Sequence, residues 1–383
     1  MTVRRSTPLA IVLAALAVTV ACSIPFQPVV IAPAPTETVL TNPAGPAVAP
    51  TEAPPLSAAP LPTATPAPPA ITLDTIGGLT NFLTFGEGEH TRSLAFSPDG
   101  TVLASVAGNR EDFAIRLWQV PSGQALGALY GHDSIVWGVA FSPDGTLLAS
   151  ASGDRTVKVW DWRGRSLLRS IDLPNDVGSV GFSPDGQTLA VGGVDAWPVA
   201  AVWMYRVASW EPVKKLVESW NIPDLAFTPD GQWLVGGGTS RNVRVWQTSD
   251  GAERATLSHP GQVTSIDVSP DGSTAATGLC EAPEPGQCIR GAMWLWDLTS
   301  GTLIQKFSDF PDWVEGVAFS RDGSLVIAGS RDGSLRAYST SDHRPLFAAS
   351  TSGGIFDIAL SPDGGYLATG RSDGKVDLWR IEP

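Results

Sequence analysis

The chain has few residues of the kinds that carry catalysis, metal binding or nucleic-acid contact. Its 383 residues include 3 cysteines and 4 histidines, and 25 Lys and Arg stand against 38 Asp and Glu, a formal charge of −13. Because phosphate contacts need clustered Lys and Arg, this balance argues against a nucleic-acid partner. No Walker, EF-hand or H-E-x-x-H pattern occurs. We therefore expect a non-catalytic protein with no cofactor and no metal site.

One short phrase, a variant of AFSPDG, occurs seven times in the chain. Its closing glycines are 45, 41, 45, 41, 51 and 41 residues apart. The copies lie at 95–100, 140–145, 181–186, 226–231, 267–272, 318–323 and 359–364. A period of about 40–45 residues with strand-like flanks is typical of propeller blades. The spacing predicts an all-β, seven-bladed β-propeller over residues 78–383.

One repeat, residues 132–171, contains four short strand patterns separated by turn signals. Pro143 presets φ for the SPDG turn, and Gly145 can take the positive φ needed to re-enter a strand. A sheet of four such strands cannot bury both of its faces alone. Seven sheets stacked radially bury them and leave only short edges exposed.

The repeats resemble WD40 repeats, and residues 131–161 match best, with Gly131-His132 before the first strand and Trp160-Asp161 in the third. In that family a His, an Asp, a Ser or Thr and a Trp form a buried hydrogen-bond chain that braces each blade. The resemblance implies one such tetrad in blade 2, made of His132, Ser150, Asp154 and Trp160. It implies another in blade 1, made of His90, Ser105, Asp112 and Trp118. The remaining blades keep only parts of the set.

The last repeat ends at Trp379–Pro383 and leaves no residues for its outermost strand. The segment 78–85, GLTNFLTF, precedes the first repeat and has no partner of its own. We predict that residues 78–86 supply the missing strand and join the two ends of the chain.

Residues 1–21 have the pattern of an export signal, with Arg4 and Arg5 followed by an apolar stretch too short to span a membrane comfortably. The stretch ends in Thr19-Val20-Ala21-Cys22, which resembles the lipobox of bacterial lipoproteins. That resemblance implies that Cys22 is lipidated and that the protein is extracytoplasmic, held to a membrane through the lipid alone. The alternative is a signal that is cleaved and leaves no lipid.

Residues 22–77 are predicted to be a disordered tether between the anchor and the propeller. The segment 23–70 contains 14 prolines, much Ala and Thr, and no Lys or Arg. Such a composition cannot bury enough apolar surface to fold, and it favours extended polyproline-like chain.

The two remaining cysteines, Cys280 and Cys288, lie close together in one loop. In an oxidising compartment they are expected to form a disulfide. The alternative is a pair of free thiols. CEAPEPGQC lacks the further His or Cys that a zinc site needs.

Loop lengths indicate where a partner binds. From the turn glycine to the third-strand aromatic, four blades use 15 residues, whereas blades 1, 3 and 5 use 18, 19 and 24. The extra residues fall between the second and third strands, on the face opposite the SPDG turns. Aromatic residues there are typical interface anchors, although loops also tolerate insertions without function. The predicted partner-binding face comprises Arg92, Trp137, Trp197, Trp220, Pro223, Thr264, Trp313, Glu315 and Phe356.

The sequence therefore favours a monomeric, non-catalytic platform for a protein or peptide partner. Glycan or small-ligand binding by exposed tryptophans is an alternative, and a hydrolase at the channel mouth is a third. Residues 370–374 do match G-x-S-x-G, but that motif needs a strand-to-helix turn, and both neighbours here have strand patterns.

Overall fold

The computed structural model of the chain describes residues 68–86, 88–107, 112–197, 199–219, 221–284 and 287–382. Within these residues the strands form seven four-stranded antiparallel sheets arranged as the blades of a propeller. The first strand of each blade lies at the central channel and the fourth at the outer edge. The predicted all-β, seven-bladed fold is confirmed.

The strand bounds follow the repeat. Blades 1 to 3 comprise Thr91–Phe96, Val102–Ala107, Ile115–Gln119 and Gln124–Leu129; Val136–Phe141, Leu148–Ser152, Thr156–Asp161 and Ser166–Asp172; and Val177–Phe182, Thr188–Ala196, Val199–Arg206 and Glu211–Ser219. Blades 4 and 5 comprise Asp224–Phe227, Trp233–Gly237, Asn242–Gln247 and Glu253–Ser258; and Val263–Val268, Thr274–Cys280, Gly291–Asp297 and Thr302–Phe310. Blades 6 and 7 comprise Val314–Phe319, Leu325–Ser330, Ser334–Ser339 and Pro345–Ser350; and Ile355–Leu360, Tyr366–Arg371, Val376–Ile381 and Leu79–Phe85.

The SPDG turn is built by its own side chains. In blade 2 the hydroxyl of Ser142 donates to Asp144 at 2.6 Å and accepts the backbone N–H of Leu147 at 2.9 Å. Gly145 has a φ of 68°, which a residue with a Cβ rarely adopts. This local chemistry explains why the turn recurs wherever the first strand must reverse into the second.

The core is divided among the spaces between neighbouring blades. In the part of the chain that the structure describes, seven apolar clusters occur, and each is made by residues of two adjacent sheets. The cluster between blades 1 and 2, for example, includes Leu117, Val139 and Trp160, all buried. Since burial of apolar surface contributes about 25 cal/mol per Å², blade-to-blade packing provides most of the stability.

The ring is closed by strands from the two ends of the described chain. Leu79–Phe85 pairs antiparallel with Val376–Ile381, with Leu79 opposite Ile381 and Phe85 opposite Val376. The segment that lacked a partner in the sequence is thus the outermost strand of blade 7. Leu79 is buried in the cluster between blades 6 and 7, so the pairing also contributes to the core.

Folded chain begins before the boundary expected at residue 78. Ile71 and Ile76 are 1% and 3% exposed and pack in the cluster between blades 6 and 7. The backbone N–H of Ile71 donates to the carbonyl of Gly364 at 2.8 Å, and that of Leu73 donates to Ser324 at 3.2 Å. The tether predicted over residues 22–77 is therefore too long at its C-terminal end, because two isoleucines anchor it to the end of the propeller that carries the SPDG turns.

The loop between the second and third strands of blade 5 contains the predicted disulfide, Cys280–Cys288, with the two Cα atoms 5.8 Å apart. Beside it a short hairpin pairs Pro283–Glu284 with Gln287–Cys288. The pairing expected from the sequence is confirmed. Among the residues described, no helix has the length and apolar character needed to cross a bilayer. The expected signal peptide and Cys22 lie outside the described residues.

Candidate binding site at the channel mouth

The central channel contains a cavity of about 740 Å³ that opens at the end of the propeller opposite the SPDG turns. Its wall is built by the inner strands, from their starts at the mouth down to Phe319 and Leu360 at the ends of two of them, and by the loop that follows the second strand of blade 3. Of the nine residues predicted for a partner-binding face, seven line this cavity: Arg92, Trp137, Trp197, Pro223, Thr264, Glu315 and Phe356. The sequence pattern thus brings one residue from each of the seven blades to one place.

A cation lies between two aromatic rings on one side of the mouth. The guanidinium carbon of Arg92 is 4.9 Å from the ring centre of Trp137 in blade 2 and 5.6 Å from that of Phe356 in blade 7. Contacts of this geometry contribute roughly 0.5–1 kcal/mol each at exposed sites and more when desolvated. The pKa of Arg92 is lowered, chiefly because the guanidinium is buried. Nearby Glu315 opposes this shift, and Arg331 adds to it.

Arg331, which the sequence did not single out, continues this aromatic and cationic arc. Its guanidinium lies 5.2 Å from the ring of Phe356 and 5.3 Å from that of Trp313. It also pairs with Glu315 at 2.5 Å. The pKa of Glu315 is raised because its carboxyl is buried, and Arg331 partly offsets this shift. Trp313 is therefore part of the arc, although it does not line the cavity itself.

The opposite side of the mouth is formed by smaller residues of blades 3 to 5. Thr264 donates its hydroxyl to the carbonyl of Val314 at 2.6 Å and so joins blade 5 to blade 6. Trp197 is 73% exposed at the edge of the cavity. Trp220, also predicted for this face, lies outside the described residues.

Three aspartates line the channel below the mouth. Asp224, Asp267 and Asp357 each accept one backbone N–H from their own strand and one from the next blade, from Ile266, Phe319 and Leu94 respectively, at 2.6–2.7 Å. Surrounding protein raises the pKa of Asp224 to about 7, that of Asp267 to about 6, and that of Asp357 well above its usual value. An Asp within an apolar inner strand was the sequence signal that could have identified them.

The complete bracing tetrad occurs in blade 2. His132 Nδ1 lies 2.7 Å from Asp154, its Nε2 lies 2.7 Å from the hydroxyl of Ser150, and Trp160 donates its indole N–H to that hydroxyl at 2.9 Å. Burial lowers the pKa of His132, although Asp154 raises it. All four groups are satisfied when the imidazole is neutral with its proton on Nδ1.

The tetrad expected in blade 1 does not form. Trp118 donates to Ser105 at 2.8 Å, as the resemblance implied. Asp112, however, pairs with Arg116 at 2.8 Å, and His90 places its ring 5.0 Å from that of Phe356. The carboxylate is engaged by Arg116, and the histidine instead supports the aromatic wall of the mouth.

Other chemical features have structural roles. In the described ranges, no three His, Cys, Asp or Glu side chains are grouped so as to hold a metal ion. The G-x-S-x-G segment, 370–374, is a turn between Tyr366–Arg371 and Val376–Ile381, both strands, and Ser372 accepts the N–H of Gly354 at 3.0 Å. This is hairpin geometry, without the helix that a hydrolase nucleophile turn requires.

The fold and the mouth define a seven-bladed repeat propeller with a wide, aromatic-lined opening at one end. The family model described as WD domain, G-beta repeat matches residues 83–119, 123–161, 210–247, 251–281, 301–339 and 343–380, together more than half of the chain. The chain belongs to the WD40 repeat family.

The similar proteins are diverse. The chain is 27% identical to Autophagy-related protein 16 of Arabidopsis thaliana over 53% of this chain and 47% of that protein. It is 31% identical to Periodic tryptophan protein 2 homolog of Schizosaccharomyces pombe over 59% of this chain and 23% of that protein. It is 24% identical to Echinoderm microtubule-associated protein-like 2 of Rattus norvegicus over 70% of this chain and 45% of that protein. The chain thus spans less than half the length of these curated relatives.

Proposed function

We propose that this propeller is a non-catalytic platform that binds a protein or peptide segment at its channel mouth. The observation that carries the proposal is the convergence of Arg92, Trp137 and Phe356, from three different blades, on one open cavity of about 740 Å³. Tryptophan and arginine dominate the energetics of protein interfaces. A cavity of this size accepts several side chains of a peptide.

Residues in the cavity wall also have structural partners that keep the site rigid. His90 packs on Phe356, and Glu315 fixes Arg331 beside the same ring. A preorganised wall loses little side-chain entropy when a ligand binds, which favours affinity. This arrangement supports a binding role better than it supports an accidental gap between loops.

We further propose that the protein is exported and anchored by lipid at Cys22. The lipobox-like Thr19-Val20-Ala21-Cys22 and the proline-rich segment after it support this localisation. Ile71 and Leu73 attach the chain at the SPDG end of the propeller, opposite the mouth. A tether joined there leaves the mouth unobstructed for a partner. Mass spectrometry of the mature N-terminus should find a lipid-modified cysteine, and Cys22→Ser should release the protein from membranes; an unmodified N-terminus elsewhere would reject the anchor.

The binding proposal is tested by capture with the full-length chain from the envelope of cells that naturally make it. The wild-type chain should enrich a specific protein, and the double variant Trp137→Ala with Phe356→Ala should lose it. Trp233→Ala with Arg254→Gln is the matched control. The guanidinium of Arg254 lies 4.5 Å from the ring centre of Trp233, and neither residue lines the cavity. The melting temperature of each variant is measured first.

Equal capture by the mouth variant and the wild type would reject the mouth as the binding site. If the variant Trp233→Ala with Arg254→Gln also loses capture, the mouth is likewise rejected as the binding site. If instead a glycan array gives specific binding that Trp197→Ala removes, and no protein is captured, the ligand class is carbohydrate and the protein-binding proposal is wrong.

A further inference from the structure

We propose that the channel mouth recognises a carboxylate, the Asp or Glu side chain of a partner's peptide segment, through the guanidinium of Arg92. This inference rests on the proposed binding function and specifies the chemistry of the ligand. It depends on which groups around Arg92 are already engaged and which are available.

Among the described residues, aromatic rings contact the guanidinium of Arg92, and none of its N–H groups has a hydrogen-bond acceptor. Trp137 and Phe356 lie against the guanidinium at 4.9 and 5.6 Å. Its Nε is buried without a hydrogen-bond partner in the described part of the chain. A guanidinium has five N–H donors in a planar fork that matches a carboxylate. Because Nε is enclosed, the donors that a ligand can reach are the N–H groups of the two terminal nitrogens.

Two other arginines that stack on rings in the described part of the chain have polar partners. Arg336 lies over Phe310 and pairs with Asp309 at 2.6 Å. Arg254 lies over Trp233 and donates to the carbonyl of Thr299 at 2.9 Å. Arg380, which also has a buried Nε without a partner, is not part of the cavity lining. Arg92 thus combines available donors with a position on the cavity wall.

The acidic groups near Arg92 are already engaged. Glu315 pairs with Arg331 at 2.5 Å. Asp357 accepts two backbone N–H groups, from Leu94 at 2.7 Å and Ile358 at 2.8 Å, and its pKa is well above the usual value because protein surrounds it. Arg92, Arg331 and the paired Glu315 together have a formal charge of plus one.

This balance favours a single negative charge over a double one. A carboxylate matches the one available guanidinium, whereas a phosphoryl group carries −1.5 to −2 charges. The second charge would lie near Glu315 and the channel aspartates without a second available cation. Trp137 and Phe356 flank the position and provide contacts for the residues on either side of the acid.

The test uses three pools of nonapeptides, acetylated and amidated at their ends, with random flanks and a central Glu, Gln or phosphoserine. Each pool is incubated with immobilised full-length protein, and retained peptides are quantified by mass spectrometry. The Glu pool should be retained at least about tenfold more than the Gln pool, the scale expected for a lost charge-assisted pair. Arg92→Gln should remove the difference, and Arg92→Lys should reduce it because an ammonium lacks the planar fork. Arg254→Gln should leave it unchanged.

Equal retention of the Glu and Gln pools, stronger retention of the phosphoserine pool, or an unchanged preference in Arg92→Gln would each overturn the inference. Retention of a matched Gln pool with a free C-terminal carboxylate, but not of the amidated Glu pool, would overturn the assignment to a side chain. If no pool is retained while capture from the envelope still depends on Trp137 and Phe356, the proposed function stands and the carboxylate is wrong. If both experiments fail, the proposed function itself is wrong. Arg92→Lys keeps the positive charge between the two rings, so the comparison remains available should Arg92→Gln unfold.

Discussion

The carboxylate of Asp357 accepts the backbone N–H of Leu94 at 2.7 Å, and this bond joins the last blade of the propeller to the first. The same carboxylate accepts the N–H of Ile358 in its own strand at 2.8 Å. One side chain thus satisfies donors from two blades at the position where the ring closes. The equivalent bonds of Asp224 and Asp267 join blades 4 to 5 and 5 to 6.

Replacing Asp357 with Ala should lower the free energy of unfolding by about 2 kcal/mol. The change leaves two enclosed N–H groups without acceptors, and each such loss costs roughly 1–3 kcal/mol, partly offset by channel water. Chemical denaturation of both proteins measures the difference. Asp172→Ala, at an exposed position, is the control and should change stability little. A similar effect of the two substitutions would contradict the role given to Asp357.

The channel aspartates should make stability fall as the pH rises. The pKa values of Asp224 and Asp267 are raised to about 7 and about 6, from an ordinary value of 3.8, because protein surrounds both carboxyls. Between about pH 4 and 7 the folded chain therefore binds more protons at these groups than the unfolded chain does, and their contribution is lost as the pH rises through that window.

Comparison with Asp224→Asn isolates this effect, because the amide resembles the protonated acid and does not titrate. The stability advantage of the wild type over this variant should be largest at pH 4 and should shrink by pH 7. Asp144→Asn should behave in the opposite way, since hydrogen bonds from Ser142 and Thr146 lower the pKa of Asp144 and its contribution is lost as the pH falls. A pH-independent difference for Asp224→Asn would show that its carboxyl does not titrate in this range.

Two serines at equivalent positions should differ in importance. Ser150→Ala removes contacts to both His132 and Trp160, whereas Ser105→Ala removes only the bond from Trp118. At about 1 kcal/mol per hydrogen bond, we expect losses of about 2 and about 1 kcal/mol. Thermal unfolding followed by circular dichroism can rank the two variants. If Ser105→Ala were as costly as Ser150→Ala, blade 1 would contain a full tetrad after all.

The closing strand should be needed by the whole ring. Deletion of residues 78–86 removes the pairing partner of Val376–Ile381 and the buried side chain of Leu79. The melting temperature should therefore fall, and the transition should broaden as blade 7 separates. Removal of nine residues from the proline-rich segment, such as 40–48, gives a chain of equal length as the control. An unchanged melting temperature on losing 78–86 would exclude a structural role for this strand.

The periodic parts of the molecule were predictable from the sequence because their causes are local. Each of these turns is formed by its own Ser or Thr, Asp and Gly, so the repeat indicates the turn without knowledge of the rest of the fold. The face opposite the turns could be located for a similar reason, because the lengths of the loops between second and third strands are read directly from the sequence. Arg331 was missed because its Arg-Asp-Gly context is that of an ordinary turn, although its side chain reaches Glu315 and Phe356.

The errors arose where distant groups compete for one side chain. His90 has the position of a bracing histidine, but Arg116 takes the carboxylate of Asp112, and Phe356 from the last blade offers the imidazole another surface. Ile71 and Ile76 stand in or just after a proline-rich segment with no periodicity, so nothing local indicated that they pack between blades 6 and 7. The contact of His90 with Phe356 and the bond of Ile71 to Gly364 each join residues more than 250 positions apart, whereas Arg116 lies only four residues from Asp112.

Site-specific photocrosslinking in cells that naturally make the protein tests the central claim most directly. A photoreactive residue replaces Asp176, which is exposed on the cavity wall, or Leu168, which is exposed on the outer strand of blade 2. Position 176 should give one discrete crosslinked protein that disappears with Trp137→Ala and Phe356→Ala, and position 168 should give none. Crosslinking at 168 but not at 176 would place the partner on the outer edge and contradict the account.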